Sequence, residues 1–342
     1  MEMKNTGAKI LIVGGTGLLG YHAGLEFLKR GYQVTALSLR DIDLTGWFPK
    51  EIEVVYGDVF TMTSQALISQ FTGFYAVVYA MGPDDRLVPN APAKQFFSEK
   101  LVDTGTKVFE SARKACVKRA VLLSSYFSHF DREWPRLKLA QRHPYIGARV
   151  NQTDQILAVS VPGMETMVLE LPYVFGTMPI RIPIWRDVFF KRLLPMNPII
   201  YPRGGTSMIR AENVAEAIVG AVEKGKHGAC YAIADVNMQW EEMFSIMFGT
   251  LGIKRMLIRL PLWMGFIVGS TMMWKERRKG KEPGLNLAYI FKDILAKEFY
   301  LDATQSALVL GYGSGDVAEA IRESTRACFP DGYSRKTLRK GI

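Results

Sequence analysis

Cysteine and histidine are scarce in this chain: its 342 residues include three of the first and four of the second. Cys116, Cys230 and Cys328 stand far apart and are odd in number, which excludes a disulfide framework and a cysteine-rich zinc site and points to a reducing, cytoplasmic setting. His22, His129, His143 and His227 have no ligand spacing with cysteine or acids, so no metal centre is expected. A G-x-S-x-G nucleophile elbow is missing, as are internal repeats, low-complexity segments and any RNA- or DNA-binding signature. No signal peptide is expected either, because Met1-Glu2-Met3-Lys4-Asn5 leads straight into a strand-like run.

What is present is apolar and basic. Apolar residues make up 48% of the chain and charged ones 22%, too apolar a balance for disorder. The length suits about two domains, or one domain with a lobe attached. The net charge of +10 fits nucleic acid, an anionic membrane surface or an anionic cofactor. Much of it lies late, in Lys275, Arg277, Arg278, Lys279 and Lys281, then Arg335, Lys336, Arg339 and Lys340, which reads as a solvated face and a basic tail. The uncharged stretch Leu260–Trp274 falls short of the roughly 20 residues that a spanning helix needs. Gly265 and Gly269 weaken it as a helix, and the expectation is a buried helix of a substrate lobe. An interfacial anchor is the alternative, since basic residues follow at once.

The first half alternates short apolar runs with segments of helical spacing. Candidate strands are 10–13, 34–37, 53–56, 76–79, 120–123 and 167–169; Leu19, Ala23, Phe27 and Val108, Ala112, Ala115 mark helices between them. Near-continuous apolar strands suit a parallel sheet covered on both faces. From about Thr177 prolines punctuate an aromatic stretch. A helix over 212–223 and a strand over 229–233 suggest a return to the first unit.

Gly14-Gly15-Thr16-Gly17-Leu18-Leu19-Gly20 follows the first strand and opens the first helix. Gly15, Gly17 and Gly20 satisfy G-x-G-x-x-G, while Gly14, Gly17 and Gly20 satisfy G-x-x-G-x-x-G. In that context the glycines permit a tight turn, close approach to a pyrophosphate and close helix–sheet packing, and the helix N-terminus offers free N–H groups. At the end of the second strand, Arg40 could hold a 2′-phosphate in its fork and Ser38 could donate to it, which favours NADP. Asp41 competes as a ligand for the ribose diol of NAD. The expected fold is therefore α/β: a doubly wound parallel sheet, or Rossmann fold, binding NAD(P) over residues 1–176 with 206–236 returning to it. A smaller, mostly helical C-terminal substrate lobe would occupy 177–342.

With these pieces the chain resembles the extended short-chain dehydrogenase/reductase superfamily, in its epimerase, dehydratase and dihydroflavonol-reductase-like branch. The likeness runs from Lys9 to about Val236 and rests on the glycine loop, Gly57-Asp58-Val59, Gly105-Thr106, Ser124-Ser125 and Leu171 to Gly176, with a looser echo in Leu310-Gly311-Tyr312. The resemblance implies that Asp58 and Val59 lie near adenine, Ala80, Met81 and Gly82 near the ribose and phosphates, and Pro172 and Val174 near the nicotinamide.

Family chemistry uses a serine, a tyrosine and a lysine, the last two one helical turn apart. The resemblance assigns the acid/base role to Tyr145 and substrate-oxygen polarisation to Ser125. Arg149 stands where relatives carry the lysine that holds ribose and lowers the tyrosine pKa. Arginine keeps a permanent charge but cannot relay a proton. Val102 replaces an asparagine common in relatives. The implied activity is hydride transfer between NADP(H), or NAD, and a carbonyl or hydroxyl carbon of a small molecule. Trp185, Phe189, Phe190, Trp263 and Phe266 suggest that this substrate is bulky and apolar. The alternatives are a nucleotide-sugar epimerase or dehydratase with tightly bound NAD, and an inactive cofactor-binding regulator. A homodimer is implied by resemblance, and contact with a membrane surface stays open.

Overall fold

A computed structural model describes residues 7–333, so Met1–Asn5 and the basic tail from Arg335 to Lys340 lie outside the described residues. The first half contributes β1 (Lys9–Val13), β2 (Gln33–Ser38), β3 (Ile52–Tyr56), β4 (Ala76–Tyr79), β5 (Arg119–Ser125) and β6 (Glu165–Leu171). After them come β7 (Tyr173–Phe175), β8 (Ile199–Tyr201), β9 (Gly205–Arg210), β10 (Cys230–Ala232), β11 (Val236–Gln239), β12 (Leu257–Arg259) and β13 (Glu298–Phe299).

Val, Ile, Leu and Ala dominate β1, β2, β4 and β5, residues that pack well on a pleated surface buried on both sides. These strands form the centre of a seven-stranded sheet in the order β10-β6-β5-β4-β1-β2-β3, parallel throughout. Helices Leu18–Lys29 and Ala211–Lys224 cover one face through Ala23, Phe27, Ala217, Ile218 and Val222. Helices Ser64–Phe71, Thr104–Lys114 and Pro144–Ser160 cover the other through Leu67, Phe71, Val108, Phe109 and Ile156. Strand order reverses between β1 and β4, which opens a crevice at their carboxyl ends.

The return segment divides. Helix Ala211–Lys224 and β10 join the first unit, and Leu310 and Tyr312 also pack into its core. Strands β9 and β11 instead build a second, four-stranded sheet with β7 and β13, and β8 pairs with β12. The lobe is thus less helical than its sequence suggests. Its core is aromatic, with Trp185, Phe189, Phe190, Phe244 and Phe248 buried together.

Two expectations need correction. Leu260–Trp274 does not supply a buried helix: helix Leu262–Arg278 buries only Gly265, Gly269 and Met273. The aromatic residues offered as a substrate wall also separate, because Trp185, Phe189 and Phe190 are lobe core while Trp263 and Phe266 are exposed on that helix.

Helix Ala211–Lys224 closes against helix Thr304–Leu310 at Gly220, where an added methyl would run into the Leu310 carbonyl oxygen. Gly220→Ala should therefore destabilise the protein by about 1–3 kcal/mol despite alanine's better helix propensity, measured as a lower urea midpoint with an unchanged m-value.

Candidate active site

The glycine loop occupies the crevice. Gly14 follows β1 with φ +84°, a left-handed conformation that suits glycine, and a methyl there would press on the Ala80 carbonyl at 2.8 Å. Gly20 packs against Gly14 and Gly15 so closely that a side chain would strike backbone, which brings the helix onto the loop. Gly17 differs: a methyl there would meet only the Gly14 oxygen, at 3.3 Å. Gly17 is thus the least crowded of the three, and as N-cap it has no side chain to satisfy the N–H groups of Leu18, Leu19 and Gly20. Free N–H groups at a helix start, with no side chain over them, suit a pyrophosphate.

The cleft continues along the carboxyl ends of β2, β3 and β4, lined by Thr16, Ser38, Asp41, Asp58, Val59, Ala80, Met81 and Gly82, with Arg181 reaching in from the lobe. Ser38 accepts hydrogen bonds from the Thr16 N–H at 3.2 Å and the Thr16 hydroxyl at 3.0 Å, which leaves its own proton to donate. Asp58 accepts from the Phe60 N–H at 2.9 Å and so shapes the turn after β3. Arg40 is exposed between the cleft-lining residues Leu39 and Asp41, with its guanidinium over the Tyr56 ring at 4.6 Å. Pro172 is buried just after β6, and Val174, in β7, pairs with Ile209.

One strand away, helix Pro144–Ser160 begins with proline at its first position and is preceded by buried His143. The His143 Nδ1 accepts from the Asn286 N–H at 3.0 Å, which locks the helix entry; it is structural. Tyr145 and Arg149 come one turn apart and are 5% and 7% exposed. Arg149 Nε donates to the Tyr145 hydroxyl at 3.0 Å, while Nη1 donates to the Leu123 carbonyl at 3.3 Å and to Gln152 Oε1 at 2.9 Å. Gln152 in turn donates to the Leu101 carbonyl at 2.9 Å. Burial holds the Tyr145 phenol above the ordinary tyrosine value, and the Arg149 charge and hydrogen bond only partly offset it. The arginine thus acts in the direction expected of the lysine, but desolvation wins.

Ser125 ends β5 and caps helix Tyr126–Glu133, accepting from the Phe127 N–H at 3.3 Å. Among the described residues no hydrogen bond joins it to Tyr145. Its neighbour Ser124 carries a buried hydroxyl with no partner. Val102 lies in the π-helical turn Ser98–Asp103 and packs in one apolar cluster with Phe97 and Tyr145.

Three further groups carry no motif. Asp84, Asp85 and Arg86 form a loop soon after Gly82, where Arg86 pairs with Asp84 at 2.6 Å and approaches Asp85 at 3.9 Å. Burial holds the Asp85 carboxyl above the usual range against the pull of Arg86, whereas the hydrogen bonds and charge of Arg86 overcome burial at Asp84 and hold it below. Both acids lie within electrostatic reach of Arg149. Arg86 also lies 5.6 Å from the centre of the Trp185 ring, which stacks on Tyr173. The signal available in sequence was an acid pair and an arginine a few residues after an apolar strand.

Residues 14–161 match the family described as NAD(P)H-binding. No curated protein matches the chain by sequence. Among solved structures, gox2253 superposes with a TM-score of 0.76 at 18% identity, covering 94% of this chain and 98% of that one. A nucleoside-diphosphate-sugar epimerase from Pseudomonas aeruginosa, PA4631, gives 0.69 at 14% over 95% and 98%. The Bordetella bronchiseptica enzyme WbmH, solved in complex with NAD+, gives 0.66 at 16% over 95% and 99%. At such identities the likeness is one of fold. Residues 14–161 thus match an NAD(P)H-binding domain, within a chain that shares its Rossmann-like fold with these solved structures.

Proposed function

We propose that this chain is an NADP(H)-dependent oxidoreductase that interconverts a carbonyl and a hydroxyl group, favouring reduction at neutral pH. The observation that carries the reading is the buried Tyr145 hydroxyl held by Arg149 on helix Pro144–Ser160, which packs on the sheet that carries the dinucleotide cleft. The loop Gly14–Gly20 would hold the pyrophosphate, and Arg40 and Ser38 the 2′-phosphate. When bound, the cofactor supplies or accepts the hydride.

Tyr145 gives its proton, at Oη, to a carbonyl oxygen as negative charge develops there. A phenol held neutral by burial suits that acid role. Arg149 Nε then stabilises the phenolate left behind, in a setting where charge is poorly screened. It remains protonated throughout. Ser125 orients the substrate oxygen.

NADPH should bind at least about tenfold more tightly than NADH by fluorescence titration, a margin equal to one charge-assisted contact, and Arg40→Ala should abolish the difference. Gly17→Val should weaken both dinucleotides in fluorescence titration, since its side chain would stand at the helix start where the pyrophosphate would lie.

Tyr145→Phe should lower kcat for carbonyl reduction by about 10²–10⁴ with unchanged NADPH affinity. In the parent, reduction should stay level through neutrality and fall only on the far alkaline side. The reverse oxidation, which needs the phenolate, should climb over that same alkaline range. Undiminished turnover in Tyr145→Phe would discard the mechanism. Purification with bound NAD and no net oxidation on turnover would favour an epimerase.

A further inference from the structure

Helix Leu262–Arg278 carries an apolar surface that nothing among the described residues covers. Gly265, Gly269 and Met273, spaced four apart, form a narrow seam facing the protein. A side chain at Gly265 would strike Phe291, and one at Gly269 would strike the Leu287 backbone, so the helix rests directly on the segment Leu287–Leu295. The opposite side holds Trp263, 67% exposed, and Ile267, 56% exposed, flanked by Leu262, Phe266, Val268 and Trp274. Thr271 on that side donates its hydroxyl to the Ile267 carbonyl at 2.9 Å. An exposed surface of this kind marks a contact site rather than scattered hydrophobics.

Charge selects what covers it. Lys275–Lys281 contains five basic residues and one acid, Glu276, which pairs with Lys279 at 2.8 Å. Arg259 is exposed at the other end. Tryptophans stand near both ends of the apolar run, the positions at which amphipathic rings sit between headgroup and acyl chain. At 1.5 Å per residue the run Leu262–Trp274 spans about 20 Å, short of the roughly 30 Å hydrocarbon core, and no described helix can cross a membrane. A second copy of this chain, also carrying +10, would set one basic rim beside another.

We propose that helix Leu262–Arg278 docks the protein on an anionic lipid surface, lying in the interface plane with Trp263 and Ile267 turned into the acyl layer and the 275–281 cluster on the headgroups. The body of the protein takes the place of the polar face of an ordinary interfacial helix.

The test is cosedimentation of the full chain with vesicles of phosphatidylcholine alone, or with about 30 mol % phosphatidylserine, a content giving a substantial negative surface. Binding should need phosphatidylserine and weaken with salt. The double variant Trp263→Ser, Ile267→Ser should lose at least about tenfold in vesicle affinity, with NADPH affinity and thermal midpoint unchanged. Lys275→Glu with Arg277→Glu should lose a similar factor without touching the apolar face. If the first variant fails to fold, the charge variant and Trp263→Ser alone decide. No binding to either vesicle, or binding indifferent to all these substitutions, overturns the proposal. So does a concentration-dependent dimer, in sedimentation velocity, that the Trp263 and Ile267 changes abolish while vesicles remain unbound.

Discussion

The guanidinium of Arg149 is a full charge buried with no carboxylate in ion-pair contact among the described residues, and the arrangement of the site follows from satisfying it. An uncompensated buried charge costs several kcal/mol or more. Here the offset comes from three oxygens of different kinds, a phenol, a strand carbonyl and a side-chain amide. The forked donors of arginine can reach all three at once, whereas a lysine ammonium is one point. The field of Asp84 and Asp85 adds to this from a loop that Arg86 keeps from flying apart by its own charge. Arginine at this position is thus a rebuilt constraint: Gln152, Leu101 and Leu123 are placed around its planar fork.

The legible parts of the chain were those encoded locally. Five of the first six expected strands lie inside the observed ones and 76–79 coincides with β4, because a two-sided parallel strand needs an unbroken apolar run and leaves that run in the sequence. The glycine loop was legible for the same reason, since its backbone tolerates nothing larger at Gly14 or Gly20. The second sheet was not. Strands of two to four residues, such as β7, β11 and β13, are too short to establish a period of two. The exposure of Leu262–Arg278 was misread because its inward face is written in glycine, so the usual contrast of apolar and polar sides is missing. Asp84, Asp85 and Arg86 matter through partners far along the chain, and no spacing rule reports that.

Those partners connect features that seem separate in sequence. The segment after the exposed helix runs beside the acidic loop: the Ala91 N–H donates to the Gly280 carbonyl at 2.9 Å and the Glu282 N–H to the Pro89 carbonyl at 3.0 Å. It then touches helix Pro144–Ser160, where the Tyr145 N–H donates to the Gly284 carbonyl at 3.0 Å. A methyl on Gly284 would press on both Phe97 and Tyr145. One strap therefore carries mechanical contact from the apolar helix to the acids near Arg149 and to the backbone under the Tyr145 phenol. Whatever holds that helix also holds the site's rim.

The helix that begins at the phosphate loop has a consequence for how the chain is made. Residues Ala23 and Phe27 are covered by Ile218 and Val222 from nearly two hundred residues later, and by Leu310 later still. Strand β6 likewise gains its outer neighbour only when Cys230–Ala232 is available. During synthesis this helix emerges well before the residues that enclose it, so the nascent domain carries an uncovered apolar face until they follow. Closing such distant pairs sets a slow, non-local step at the end of folding, and the interval before it is when this chain is most in need of a chaperone.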